Sequence, residues 1–313
     1  MKYSNCFGKK SSRIVLGTAY FGDGIAEVDA FLMMDSFCAL GGTHIDTARL
    51  YADGKAEEIV GRWRKSRKAD NILISSKGAY YDPNMGERPR LSESDVRQDL
   101  EKSLRALDTE CIDFYWLHRD DETKPVGEII ELLNKLVIEG KIKKFGASNW
   151  RAERISEANV YAQKAGLMGF SASQIRFNPA ASCGDERLGL VNMDEAEFAF
   201  YKQRNMPVVA YSSQAKGFFS KMAELDESAL SEKARKRYLT EENLIRLETM
   251  KKLSQKYGAS IAAIICGAFC SFDCPEVFPV IGGSNIHQIE DSMGGANVTI
   301  EKRELEDMFQ MKL

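Results

Sequence analysis

Short apolar runs bounded by turn residues alternate along this chain with stretches whose apolar positions recur every three to four residues. Arg13–Thr18 (RIVLGT) opens the series as an extended segment. From Glu27 to Leu40, Val28, Phe31, Leu32, Phe37 and Leu40 fall at helical spacing, and Gly41-Gly42 stops the helix. Thr43–Ile45 predicts a second strand that delivers Asp46 at its end, with a helix from about Lys55 to Lys65. Asn71–Ser76 (NILISS) predicts the third, ending at Lys77; the loop after it contains Pro83, Gly86 and Pro89 and is long enough to lie over a site. Ser92 with Asp95 makes a capping-box pattern at the head of an amphipathic helix, and Cys111–Leu117 (CIDFYWL) predicts the fourth strand, with His118 directly after it.

The rhythm continues. Val126–Glu139 reads as a helix stopped by Gly140, and Lys143–Ala147 as the fifth strand, ending in Ser148-Asn149-Trp150. A helix over Ala152–Ala165 precedes the sixth strand, Phe170–Ile175, which carries Gln174; a helix over Asp194–Asn205 precedes the seventh, Pro207–Tyr211. Residues 218–240 form a charged, helix-prone insertion on one face. Ser260–Phe269 then leads as a helix to the eighth strand, Val277–Ile281, and 300–311 (IEKRELEDMFQM) closes the chain as an amphipathic helix.

Eight short strands alternating with helices predict a parallel sheet in the α/β class. No internal linker rich in Pro, Gly or Ser divides the chain, so residues 1–313 are expected as one domain, a closed (β/α)8 TIM barrel with a loop insertion at 218–240. An open doubly wound sheet would want G-x-G-x-x-G after the first strand; LGTAYFGDG has glycines there without that spacing. In a barrel the chemistry gathers at the C-terminal strand ends, which selects Thr18, Asp46, Lys77, His118, Ser148, Asn149, Gln174, Tyr211 and the glycines after Ile281.

Composition narrows the partners. A net charge of −3 offers no electrostatic case for nucleic acid or an anionic membrane surface. No run approaches about 18 apolar residues, and MKYSNCFGKK lacks the apolar segment of a signal peptide. Seven cysteines, an odd number without a paired framework, fit a reducing compartment, so the cytoplasm is the expected location.

On the second strand His44 and Asp46 share a face, and Tyr51 lies five residues further on. A phenol donates protons poorly near neutral pH unless a neighbouring cation stabilises its phenolate, and Lys77, ending the adjacent strand, is placed to be that cation. A lysine in a dry pocket tends to lose its proton unless paired, and Asp46 can pair with it. His118 adds a donor for a carbonyl oxygen. Together these make an electrophilic site for a carbonyl that gains a hydride. His44 reads as a core or supporting residue. Metal hydrolysis is disfavoured because the chain has only three histidines, His44, His118 and His287. Cys266, Cys270 and Cys274 share one helical face and read as packing, as do Trp63 and Trp116; no metal site is expected. Trp150, Tyr20, Phe21 and Tyr80 are candidate walls of the substrate pocket, with His118 orienting the substrate.

The segments HIDTARLY, ILISSKG, CIDFYWLH, GASN, PVVAYSSQ and VIGGSNIHQIED, in this order and at these strand ends, resemble the aldo-keto reductase superfamily. HRDD, SNW and AYSSQAKGFFS suggest its bacterial-type branch. The resemblance implies a catalytic tetrad of Asp46, Tyr51, Lys77 and His118, and an extended nicotinamide cofactor across the barrel mouth, with Thr18 and Asp46 beside it. It implies that Tyr211 stacks on the nicotinamide and that Ser148, Asn149 and Gln174 bond its carboxamide. Ser212, Gln214 and Gly217 would cover the pyrophosphate; Gly282, Ser284, Gln288 and Asp291 would hold the adenosine end. The family favours NADP(H), yet no Lys or Arg lies between Val280 and Ile300, and Ser284 stands where a cation usually meets the 2′-phosphate. Either Lys216 or Lys221 reaches over, or NAD(H) is accepted. The expected activity is NAD(P)H-dependent reduction of a small aldehyde or ketone with Tyr51 as general acid; the rival is a cofactor-binding sensor or partner subunit with little turnover. Oligomeric state is left open.

Overall fold

In the computed structural model of the protein, eight parallel strands close into a barrel. Residues 1–81, 88–181 and 189–312 are described, so Pro83 and Gly86 of the expected covering loop lie outside the described residues. The barrel strands are β3 (Val15–Gly17), β4 (His44–Asp46), β5 (Leu73–Gly78), β6 (Ile112–Leu117), β7 (Ile142–Ser148), β8 (Ser173–Arg176), β9 (Val208–Tyr211) and β10 (Val277–Ile281). Each pairs with its sequence neighbour, and β10 closes the ring between β9 and β3.

Period-two alternation divides each strand. Leu16, Ile45, Ile74, Tyr115, Ile175 and Ala210 belong to the layer packed under the helices, while Val15, Leu73, Phe114, Trp116, Val209 and Phe278 form a separate core inside the barrel. Carrying the inward parity to the C-terminal ends brings up Asp46, Lys77, His118, Ser148, Gln174, Arg176 and Tyr211. The register sets them side by side: Asp46 opposite Ser75, Lys77 opposite Trp116, Ser148 opposite Gln174, Arg176 opposite Tyr211. Gly146 has no side chain because a Cβ there would stand 2.5 Å from the Trp116 ring and 2.7 Å from the Ala172 carbonyl.

The helices follow the expected positions: α1 (Glu27–Ala39), α2 (Lys55–Arg67), α3 (Glu93–Ala106), α4 (Val126–Ile138), α5 (Ala152–Ala165) and α6 (Glu195–Arg204). The Ser92 hydroxyl caps α3 by accepting from the Asp95 amide at 3.1 Å. Residues 218–240 hold α7 (Phe218–Glu224) and α8 (Glu232–Tyr238). Three further helices complete the chain: α10 (Ile261–Cys270), α11 (Ile286–Met293) and α12 (Lys302–Phe309). Cys266 and Cys270 are buried on α10 while Cys274 lies beyond its end, exposed, and no cluster of His, Cys, Asp and Glu suited to a metal occurs among the described residues.

Besides α11, two elements lack a counterpart in the sequence expectations. One is α9 (Glu241–Tyr257), capped by Thr240 and buried through Leu247, Met250 and Leu253. The other is an antiparallel pair, β1 (Tyr3–Ser4) with β2 (Ser11–Ser12), whose connection places Phe7 in the inner core. The Phe7 ring meets those of His44, Phe114 and Phe278 edge-on at 5.0 to 5.1 Å. No helix among the described residues is long and apolar enough to cross a membrane.

Candidate active site

Three elements converge at one side of the barrel mouth. β4 ends at Asp46, β5 carries Lys77, and a short 3-10 turn over Tyr51–Gly54 returns the phenol. Lys77 is buried, and its Nζ donates to Asp46 Oδ2 at 2.5 Å, to the Thr47 carbonyl at 2.7 Å and to Tyr51 Oη at 3.3 Å. Burial by itself would favour the neutral amine, but the Asp46 carboxylate and the Tyr51 oxygen outweigh it and the Lys77 pKa moves upward. This lysine is therefore an ammonium throughout the neutral range.

Asp46 Oδ1 is held from two sides, by Ser75 Oγ at 2.7 Å and Gln174 Nε2 at 3.3 Å. The Ser75 hydroxyl also meets His44 Nε2 at 2.9 Å, and His44 Nδ1 meets Ser11 Oγ at 3.0 Å. Since Ser75 has one proton and gives it to Asp46, His44 Nε2 is the donor to Ser75. Burial lowers the His44 pKa to about 4, against the pull of Asp46 and Asp113, so this imidazole is neutral.

Across the mouth, the His118 ring stands at 6.3 Å from that of Tyr51 and 4.9 Å from that of Tyr80. Burial first, then the charges of Lys77 and Arg119, hold the His118 pKa well below the usual imidazole range. Its Nδ1 is buried with no partner among the described residues.

The residues expected at a cofactor divide into groups. Tyr211 is partly buried at the end of β9; its Oη donates to Asn149 Oδ1 at 2.7 Å, and burial pushes its pKa up to about 12. Asn149, in the left-handed region at φ 58°, has its Nδ2 3.2 Å from Ser148 Oγ. Thr18 is buried with its hydroxyl 3.2 Å from the Asp46 carbonyl. Gln214 is engaged with Ser292 at 2.9 Å. Ser212 and Gly217 have positive φ in the loop after β9. Gly282 looks into open space, with no atom nearer than 3.9 Å to a Cβ built there, and Gln288 Oε1 accepts from the Ser284 amide at 2.8 Å. Asp291 is exposed on α11.

Of the expected pocket walls, Tyr80 stands beside His118 and Tyr20 is exposed. Phe21 and Trp150 require correction. Phe21 is buried in the main core, and Trp150 is fully buried against the Phe170 ring at 4.9 Å with the Arg154 guanidinium over it. The polypeptide leaves β7 at Ser148, and two residues on the Trp150 side chain drops into the helical layer. Sequence reasoning passed over Ser75, Arg119 and Arg176; the signal for Ser75 and Arg176 was the same period of two that marks Lys77 and Gln174.

The aldo/keto reductase family model matches residues 13–311. The chain belongs to this family. It is therefore an oxidoreductase of a family of carbonyl reductases that use nicotinamide cofactors. Among its relatives, norsolorinic acid reductase A of Aspergillus parasiticus is 28% identical over 96% of this chain and 78% of its own length. The oxidoreductase YrpG of Bacillus subtilis, uncharacterised, is 28% identical over 96% of this chain and 93% of its own. An aryl-alcohol dehydrogenase [NADP(+)] of Phanerodontia chrysosporium is 25% identical over 96% and 82%.

Proposed function

We propose that this aldo/keto reductase reduces an aldehyde or ketone to an alcohol with NAD(P)H, Tyr51 acting as general acid. The observation that carries this reading is the buried line from Asp46 through Lys77 to Tyr51, closed at 2.5 and 3.3 Å beside a neutral His118. The Lys77 ammonium stabilises the phenolate left when Tyr51 gives up its proton, and Asp46 keeps Lys77 charged. Because His118 is neutral, it can offer an N–H to the carbonyl oxygen without adding a second cation. The bound cofactor would supply a hydride to the carbonyl carbon as the oxygen takes the Tyr51 proton, so that C=O becomes CH–OH and the cofactor is oxidised.

The residues present fit such a cofactor. Tyr211 offers a flat ring fixed by its bond to Asn149, Ser148 and Asn149 offer amide and hydroxyl groups beside it, and open Gly282 permits close approach of the adenosine end. NADP(H) is the preferred form with weak discrimination: the Phanerodontia relative is named for NADP(+), whereas residues 280–300 hold no Lys or Arg here.

The test is Tyr51→Phe with 4-nitrobenzaldehyde. Turnover should fall by about a thousandfold, the scale of a lost general acid, while cofactor affinity stays near wild type. Undiminished reduction by this variant would remove Tyr51 from its role; binding without oxidation in the wild type would favour a cofactor sensor.

A further inference from the structure

Arg119, immediately after His118, is 7% exposed, and among the described residues no carboxylate reaches its guanidinium. Among the described residues its hydrogen bond is from Nη1 to the His118 carbonyl at 2.8 Å, and Nε is buried without a partner. Arg13 and Lys77, also deeply buried, differ: Arg13 meets Glu276 at 3.3 Å and Lys77 meets Asp46 at 2.5 Å. The neighbouring carboxylate, Asp120, turns away to Arg154 at 3.3 Å. A buried guanidinium without a counter-ion is costly, which makes it a ready site for an anion brought by a ligand.

Its position specifies which ligand. The guanidinium lies over the Tyr80 ring at 4.7 Å and near Tyr81 at 6.0 Å, and the Tyr80 ring in turn meets the His118 ring at 4.9 Å. Gly189, in the left-handed region at φ +74°, closes over the same place: a Cβ there would stand 2.8 Å from Tyr81 Oη and 3.5 Å from Arg119 Cδ. Arg119 is thus steadied by two aromatic faces at the substrate side of the mouth. Its charge contributes to holding His118 neutral.

We propose that Arg119 recognises a carboxylate on the substrate, so that the carbonyl compounds this enzyme takes are anionic, with the acid group a short spacer away from the carbonyl. This rests on the reductase reading above. Binding adds the counter-ion the guanidinium lacks, in a dry setting where charge-assisted, bidentate contacts are strongest.

The experiment pairs 4-carboxybenzaldehyde with methyl 4-formylbenzoate in turnover, and 4-(hydroxymethyl)benzoate with its methyl ester in calorimetric binding, for wild type, Arg119→Met and Arg119→Lys. Wild type should favour the acid over the ester roughly ten- to hundredfold in both readouts. Arg119→Met should abolish that ratio and Arg119→Lys restore part of it. Arg119→Met should also melt no lower than wild type, because it removes an uncompensated buried charge, whereas a structural role would show as lost stability. An acid bound no better than its ester overturns the proposal, as does a variant that loses cofactor affinity with the acid-to-ester ratio intact. The two readings fail separately. If the ester is reduced without preference for the acid, anion recognition falls and the reductase stands. If the acid binds through Arg119 but neither aldehyde is reduced, the reductase reading falls and the anion site stands.

Discussion

Ser75 shows how one hydroxyl can tie a core residue to the carboxylate that pairs with Lys77. It accepts from His44 at 2.9 Å and donates to Asp46 at 2.7 Å, so Asp46 is held in the orientation that places its other oxygen on Lys77. Ser75→Ala would leave both partners buried without that contact. The expected loss is about 1 to 3 kcal/mol of stability, read from urea unfolding, with kcat reduced about tenfold. An unaltered kcat would show that Gln174 alone, at 3.3 Å, suffices to hold Asp46. His44 makes a second prediction at this scale. Its pKa is about 4 in the folded protein against 6.5 unfolded, so the unfolded chain binds the proton first as pH falls. The stability contributed is present above pH 6.5 and is lost progressively down to about pH 4, amounting to about 3 kcal/mol at 1.4 kcal/mol per pH unit. An NMR titration that finds His44 protonating near pH 6.5 would contradict the neutral, Nε2-protonated ring inferred from Ser75.

At the scale of elements, the N-terminal hairpin and the barrel strands differ in how well they announce themselves. A barrel strand buried on both faces is an apolar run that ends in a polar residue, and that signature survives even in the three-residue β4, because Asp46 and Tyr51 stand out beside Ile45. β1 and β2 are two residues each and carry no period; only Phe7, inside the barrel's inner core, reveals their purpose. Phe7→Ala should cost about 3 to 5 kcal/mol in chemical unfolding, since the ring fills the space among His44, Phe114 and Phe278. A loss under 1 kcal/mol would mean that the hairpin merely rests on the barrel. The helix α9 is a different omission. Leu247, Met250 and Leu253 recur at helical spacing, but the surrounding charged residues dilute the apolar stripe. At the site, the line from Asp46 to Tyr51 could be foreseen because ionisable residues at successive strand ends are conspicuous. Trp150 misled because an aromatic next to Asn149 says nothing about which layer its side chain enters. Arg119 went unnoticed because the absence of a counter-ion is a property of the folded surroundings, in which the adjacent Asp120 pairs with Arg154.

At the scale of the whole molecule, ring closure places the loop after β10 between those after β9 and β3, so the far end of a cofactor lying over the mouth would depend on few charges. Residues 280–300 contribute Glu290 and Asp291 with no Lys or Arg, in a chain already at −3. A 2′-phosphate placed there would add charge of the same sign, and Lys216 or Lys221, on the segment after β9, would have to supply the attraction. Cations that reach water, as Lys216 does and Lys221 does in part, contribute on the order of 1 kcal/mol and are weakened by salt. NADPH should therefore bind more tightly than NADH by less than about tenfold at low ionic strength, with the ratio falling toward one in about 0.5 M salt. Ser284→Arg, placing a guanidinium at the position without one, should raise the ratio about tenfold. A wild-type preference above a hundredfold that persists in high salt would require a buried cation at the phosphate, contrary to the charge distribution of this loop.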